Sequence, residues 1–361
     1  MQLVVHVTGA RPNFPKVGPV WKALAARGVQ QRLIHTGQHY DDRMSEIFFR
    51  QLDLPKPDVN LGVGSGSHAV QTANIMMALE QEFLANPPAL VMVYGDINST
   101  MAAAIVASKL HIPMAHVEAG LRSFDMTMPE EINRRVTDQL CDLLFVTSPE
   151  AIDHLTHEGM DTSAMHFVGN PMIDTLLASL DKLDTDGVRA QFALPERYAV
   201  ATLHRPANVD SPDAVRSLVQ ALHGVADMVP IYIPLHPRGR ANLVDAGIES
   251  HAGIHLMDPL GYLEFIAMVR GSAVVLTDSG GVQEETTILG VPCLTMRPNT
   301  ERPITITQGT NRLVRVEDLV DEARIALARD PNAPHATPPL WDGHAGERIA
   351  DIVVPWLAAR A

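Results

Sequence analysis

Three acidic groups in the first half of the chain, the last of them a pair, follow apolar runs and could move protons. Asp96 stands in "YGDINST" just after "LVMVY" (90–94), Glu118 closes "PMAHVE" (113–118), and Glu130 and Glu131 follow Pro129 in "MPEEINRR". Carboxylates at strand ends can act as general acid and base, because the loops there converge on one edge. Each also has a plainer reading. Asp96 could be a helix N-terminal group, Glu118 a partner of Arg122, and Glu130 and Glu131 complements to a helix dipole. Three acids on one edge favour chemistry over three coincidences. In the second half, "ATLHRPAN" sets His204 and Arg205 at a strand end, and "IPLHPRGR" does the same for His236 and Arg238. A histidine there can be an acid, a base or a phosphate donor. His116 lies inside an apolar run and reads as a satisfied core residue.

"TDSGGVQEE" at 277–285 points to an anion. It follows the apolar run 272–277 and opens a helical stretch, so unbonded amides and the positive end of a helix dipole meet there. Gly280 and Gly281 let an oxygen approach without a Cβ in the way, and Ser279 adds a hydroxyl. Glu285 could accept from the two hydroxyls of a ribose. A nucleoside diphosphate would thus lie with its phosphates on Ser279, Gly280 and Gly281 and its sugar on Glu285. "GARPNFPK" at 9–16 mirrors this arrangement, with Arg11 and Lys16 as cations on a loop that follows the first strand. Arg302 in "TERP" either neutralises the same diphosphate or is a plain surface arginine. "HTGQHYDD" supplies His35, His39, Asp41 and Asp42 without metal-ligand spacing, so no metal is expected.

Short apolar strands alternating with helical stretches must position these groups, which implies parallel sheets covered on both faces. Strands are expected at 3–7, 32–36, 90–94, 113–118, 143–147 and 165–169, then at 198–203, 230–235, 272–277 and 291–296. The 361 residues exceed one ordinary core. The expected fold class is α/β, with two doubly wound Rossmann-like domains at 1–175 and 190–340, a linker within 175–195, and a final helical segment at 344–361. Such folds place ligands at strand ends, here in an interdomain cleft. The start of the chain lacks the features of a signal peptide, and no apolar run approaches the roughly 18 residues of a membrane span. Cys141 and Cys293 sit far apart in apolar surroundings, which suggests reduced thiols and a cytoplasmic location. A net charge of −14 argues against nucleic acid as a broad partner.

With "GARPNFPK", "TGQHYD", "YGDINST", "HVEAGLRS", "MPEEINR", "LTDSGGVQEE" and "TERP" present in this order, the chain resembles the non-hydrolysing UDP-N-acetylglucosamine 2-epimerases over nearly its whole length. The resemblance implies the GT-B fold, with the last helix crossing back to the first domain. It implies reversible inversion at C2 of UDP-N-acetylglucosamine through elimination and re-addition of UDP, by way of 2-acetamidoglucal and without a cofactor. By this resemblance Asp96, Glu118, Glu130 and His204 are the catalytic residues, with Glu131 the weaker candidate. Arg11, Lys16, Ser279, Gly280, Gly281 and Arg302 grip the diphosphate, Glu285 holds the ribose, and the segment 258–265 reads uracil. A homodimer is implied too. Pro206 and Ala207 stand where the family has an Arg-Glu pair, and Asp41, Ser67 and His68 depart from its activator-binding pattern. The "RSFDMTMPEE" and "TGQHYD" wording also resembles a branch acting on a 2,3-diacetamido uronic acid nucleotide. A hydrolysing epimerase, a retaining GT-B glycosyltransferase and a nucleotide-sugar sensor are the rival readings.

Overall fold

The computed structural model describes residues 2–37, 51–52, 54–235, 237–330 and 333–360, without the side chains of 11, 206–207 and 237–239. His39, Asp41, Asp42 and His236, named above, lie outside the described residues, as do the side chains of Arg11 and Arg238. Contacts divide the chain into two units, one of residues 1–178 with 339–361 and the other of residues 179–338.

Among the described residues the first unit holds a parallel sheet of seven strands. In chain order these are β1 (Leu3–Thr8), β2 (Gln30–His35), β3 (Val59–Asn60), β4 (Leu90–Tyr94), β5 (Met114–Ala119), β6 (Leu143–Val146) and β7 (Met165–Phe167). Their spatial order is 3-2-1-4-5-6-7. β4 and β5 are buried along their whole length, as expected of parallel strands covered on both faces. The chain reverses its direction of growth between β1 and β4, the switch point where doubly wound folds bind ligands. Arg11 and Lys16 follow β1 and Asp96 follows β4, so all three lie at that edge.

The second unit repeats the pattern with β8 (Ala199–Thr202), β9 (Ile231–Pro234), β10 (Ile254–Met257), β11 (Val274–Thr277), β12 (Cys293–Thr295) and β13 (Asn311–Leu313). The order is 10-9-8-11-12-13, again all parallel. Its switch point lies between β8 and β11, with His204 after the one and Ser279 after the other. Alternating helices on both sheets bear out the expected α/β class. The stretch expected to be a linker holds the end of the helix Pro171–Ser179, a 3₁₀ turn and the helix Thr185–Gln191. The helix Ala345–Ala358 packs on the helix Phe14–Ala26 in the first unit. Among the described residues no helix is long and apolar enough to cross a membrane.

Candidate active site

In the first unit, Asn13 ties the end of β1 to the end of β4. Its Oδ1 accepts from the amides of Gly9 (3.1 Å) and Ala10 (3.2 Å), and its Nδ2 donates to the Tyr94 carbonyl at 2.8 Å. Arg11 lies within the 3₁₀ turn Arg11–Asn13 that this bonding fixes. Lys16, buried in the first helical turn after it, forms an ion pair with Glu118.

Glu118 owes its aim to an unusual backbone. It lies inside β5 with φ +80°, and the register of β5 on β6 shifts between Val117 and Ala119. A bulge with left-handed φ re-aims a side chain at some cost in strain. Here it sets the carboxylate beside Gly95, where a Cβ would lie 3.2 Å from Glu118 Oε2 and 3.0 Å from Lys16 Nζ. The plainer reading of Glu118, as a partner of Arg122, gives way to an ion pair with Lys16. Arg122 donates instead to Glu158 at 2.9 and 2.7 Å and pairs with Asp138 at 2.7 Å.

Asp96 follows Gly95 directly. Its carboxylate receives Arg134 Nη1, and its carbonyl receives Asn133 Nδ2 at 2.8 Å. Arg134 is buried and also donates to Glu131 Oε2 at 2.8 Å. That oxygen further accepts the amide (2.8 Å) and hydroxyl (3.0 Å) of Ser123. Burial raises the Glu131 pKa, but the Arg134 and Ser123 bonds outweigh it and hold the carboxyl below its ordinary value. Glu131 is thus committed to the fold. Glu130, one position earlier in the helix Pro129–Leu140, is half-buried and has no ion pair among the described residues. Lys16, Gly95, Asp96 and Glu118 form one group, and Arg134 links it to the helix turn that carries Glu130.

His116 is buried with both ring nitrogens satisfied, by Asp138 Oδ1 at 2.6 Å and the Gly95 carbonyl at 2.8 Å. It is a core residue as expected, and it also fixes the peptide before Asp96. Asn13, Asn133 and Arg134 were not singled out from sequence. Their partners lie up to 81 residues away, and no local pattern announces them.

In the second unit the helix Gly280–Leu289 starts at Ser279, whose side chain makes no capping hydrogen bond to its first amides. Gly280 answers to packing beneath the turn. A Cβ there would lie 2.5 Å from Arg302 Nη1 and 2.7 Å from Glu301 Oε1. Arg302 is buried, paired with Glu284 at 2.9 Å and with Glu301, so it is not a plain surface arginine. Glu301 also receives Arg297 at 2.6 Å. Glu285 is buried one position on. Burial, with the Glu284 charge adding, pushes its pKa up to about 8 against a hydrogen bond from Tyr262 that lowers it.

His204 follows β8 and is the exposed member of a pair. Its Nδ1 lies 2.9 Å from Asp278 Oδ1, with side-chain exposures of 57% and 0%. Burial raises the Asp278 pKa, yet the His204 contact, the Arg205 amide and Asn208 bring it below the ordinary carboxylate value. Asp278 was missed, although it stands beside Ser279 in "TDSGG". A cavity of about 350 Å³ lies at the ends of β9 and β10, lined by Leu235, Arg240, Ala241, Val244, Asp258 and Pro259 among others. It borders the segment 258–265. Among the described residues no group of three or more His, Cys, Asp and Glu is placed to hold a metal ion.

A relative from Methanocaldococcus jannaschii, named UDP-N-acetylglucosamine 2-epimerase, is 40% identical over 96% of this chain and 97% of its own. One from Pseudomonas aeruginosa, named UDP-2,3-diacetamido-2,3-dideoxy-D-glucuronate 2-epimerase, is 43% identical over 90% and 92%. The crystal structure of the M. jannaschii UDP-GlcNAc 2-epimerase in complex with UDP-GlcNAc and UDP superposes with a TM-score of 0.91 at 39% identity, covering 98% of this chain and 100% of that one. A sequence model of the family described as UDP-N-acetylglucosamine 2-epimerase matches residues 22–354. That match spans both units, and the chain therefore belongs to the UDP-N-acetylglucosamine 2-epimerase family.

Proposed function

We propose that the protein interconverts UDP-N-acetylglucosamine and UDP-N-acetylmannosamine by eliminating and re-adding UDP. The observation that carries this reading is the acid group on the first unit: Glu118 aimed inward by its left-handed backbone, beside Gly95 and Asp96. The C2 proton is not next to a carbonyl and is not acidic. The C1–O bond therefore breaks first, and its electron pair leaves with UDP. A carboxylate then takes the C2 proton, giving 2-acetamidoglucal. Re-addition of UDP at C1, with a proton delivered to the opposite face of C2, inverts that carbon. Two faces need two proton-transfer groups, and Asp96, Glu118 and Glu130 supply the set. Arg11 and Lys16 offset the departing charge, while Ser279, Gly280 and Gly281 hold the diphosphate on helix amides. Arg302, already matched by Glu284 and Glu301, supports that turn from beneath rather than touching phosphate. Glu285 takes the ribose, and His204 meets the leaving diphosphate.

A second reading has a specific basis. The P. aeruginosa relative shares 43% identity and carries the name of a 2,3-diacetamido glucuronate nucleotide epimerase. The same elimination would serve that sugar. The family resemblance also supports a homodimer, which sedimentation equilibrium tests. The two buried free cysteines agree with work in the cytoplasm.

Incubation of the purified protein with each UDP-sugar in deuterated water, followed by NMR, tests the reaction. The expected result is deuterium at C2 and a mixture of two UDP-sugars. Free sugar with stoichiometric UDP would show a hydrolase, and no exchange without an acceptor would point to a transferase. Asp96→Asn, Glu118→Gln and Glu130→Gln should each slow turnover by about 10²–10⁴-fold with UDP affinity nearly intact. Wild-type rates in two of them would remove the acid assignment.

A further inference from the structure

Asp278 has no exposed surface, yet it lies at the end of β11, one residue before the Ser279–Gly281 turn. Its carboxylate collects donors from the loop after β8. It accepts the His204 amide at 3.2 and 3.1 Å, the Arg205 amide at 2.9 Å, and Asn208 Nδ2 at 3.1 Å. The His204 ring completes the set through Nδ1 at 2.9 Å. The Asp278 main chain takes part too, since its carbonyl accepts Arg205 Nε at 3.1 Å and its amide donates to the Thr202 carbonyl at 3.3 Å. One buried acid thus joins both loops of the second unit's switch point.

We infer that Asp278 is a positioning residue, which fixes the His204 ring so that Nδ1 carries the hydrogen and Nε2 is the nitrogen offered to the substrate. The inference rests on the proposed part of His204 in the reaction. The chemistry follows from hydrogen-bond capacity. An ionised carboxylate only accepts, so the ring nitrogen facing it must donate. In the neutral ring Nε2 then holds the lone pair, and in the cation it holds the transferable proton. Either way exchange with substrate occurs at Nε2. A wholly buried partner on one side and a ring more than half exposed on the other suit a group that is held at one end and works at the other. The rival account is that Asp278 only ties two loops together.

Asp278→Asn separates the two accounts. The asparagine carbonyl can still accept the loop amides, but its NH₂ group would face Nδ1. That ring nitrogen must then accept, and the hydrogen moves to Nε2. The loops stay tied while the tautomer inverts. With ¹⁵N-histidine labelling, the wild-type His204 ring should read as the Nδ1–H tautomer when neutral, and the variant as Nε2–H. Turnover should fall about 10²–10⁴-fold, with UDP affinity within about threefold. Asn208→Ala, which removes a different donor to the same acid, should keep the wild-type tautomer and most of the turnover. His204→Gln in the same assay separates the two failures. A wild-type rate for His204→Gln ends the reading of His204 itself. A slow His204→Gln beside a fast Asp278→Asn, or an unchanged tautomer in Asp278→Asn, overturns the positioning role alone. Should Asp278→Asn not fold, an Nε2–H tautomer in the wild-type protein overturns it and an Nδ1–H tautomer supports it.

Discussion

Glu285 is a buried carboxyl whose acidic neighbour, Glu284, has Arg302 as its counter-charge. Burial first and the Glu284 charge second raise its pKa from 4.5 to about 8, and the Tyr262 bond recovers only part of that. At neutral pH the native carboxyl is therefore mostly protonated, while in the unfolded chain it is ionised. A carboxyl raised in the folded state contributes its full stability below about 4.5, and that contribution is lost as pH rises towards 8. Glu285→Gln copies the shape of the protonated acid and cannot ionise. It should leave stability nearly unchanged at pH 5 and raise it at pH 8, by on the order of 3 kcal/mol. Urea unfolding of the two proteins at both pH values checks this. Equal stabilities at pH 8 would mean that the native carboxyl ionises freely. A protonated Glu285 also both donates and accepts, so the ribose assignment predicts UDP affinity in the variant close to wild type at pH 7.

β5 shows where sequence reading stops. Its burial on both faces was legible, because a run such as "MAHVEA" among helices marks a strand of a parallel sheet. The position of Glu118 at the strand's end was legible too. Its inward turn was not, since a non-glycine residue at φ +80° leaves no mark in composition or period. Nor was its partner, since Lys16 is 102 residues away. The edge strands β3, β10 and β13, of two to four residues each, carry too little periodic signal and were not expected. The same limit hid Asp278, whose donors lie 70 to 74 residues away across the sheet. Gly95 offers a direct test of this element. It has φ +65°, and an added Cβ would meet Lys16 Nζ at 3.0 Å and Glu118 Oε2 at 3.2 Å. Gly95→Ala should lower stability by about 1–3 kcal/mol, through backbone strain and displacement of a buried ion pair. Turnover should drop by more than the roughly tenfold that a simple loss of packing explains, with UDP affinity little changed. Wild-type turnover in a folded Gly95→Ala protein would show that the Lys16–Glu118 geometry does not govern the reaction.

At the scale of the molecule, the last helix belongs to the first unit's core, although the intervening 160 residues, 179–338, build the second. Ala345, Gly346, Ile349, Ala350, Val353 and Leu357 are its buried face. Gly346 sits where a Cβ would lie 2.7 Å from the Pro19 backbone, and its amide donates to Asp174 Oδ2 at 2.8 Å. Trp341 donates to the Thr147 carbonyl at 2.9 Å, and Arg348 to the Val168 carbonyl at 3.1 Å. The chain end is therefore held by backbone contact, a helix cap and two long-range bonds, all inside one unit. Gly346→Val places a branched side chain against main chain that cannot yield, and should destabilise the first unit by about 2–4 kcal/mol. A protein of two cores need not unfold in one step. In calorimetry the variant should show a transition moved to lower temperature and a second one near its wild-type position. UDP binding, assigned chiefly to the second unit, should stabilise the later transition more than the earlier one, by an amount that follows ligand concentration. If both transitions moved together, or UDP protected the earlier one more, nucleotide binding would not belong chiefly to the second unit. The separation of proton chemistry from diphosphate binding between the two sheets would then have to be abandoned.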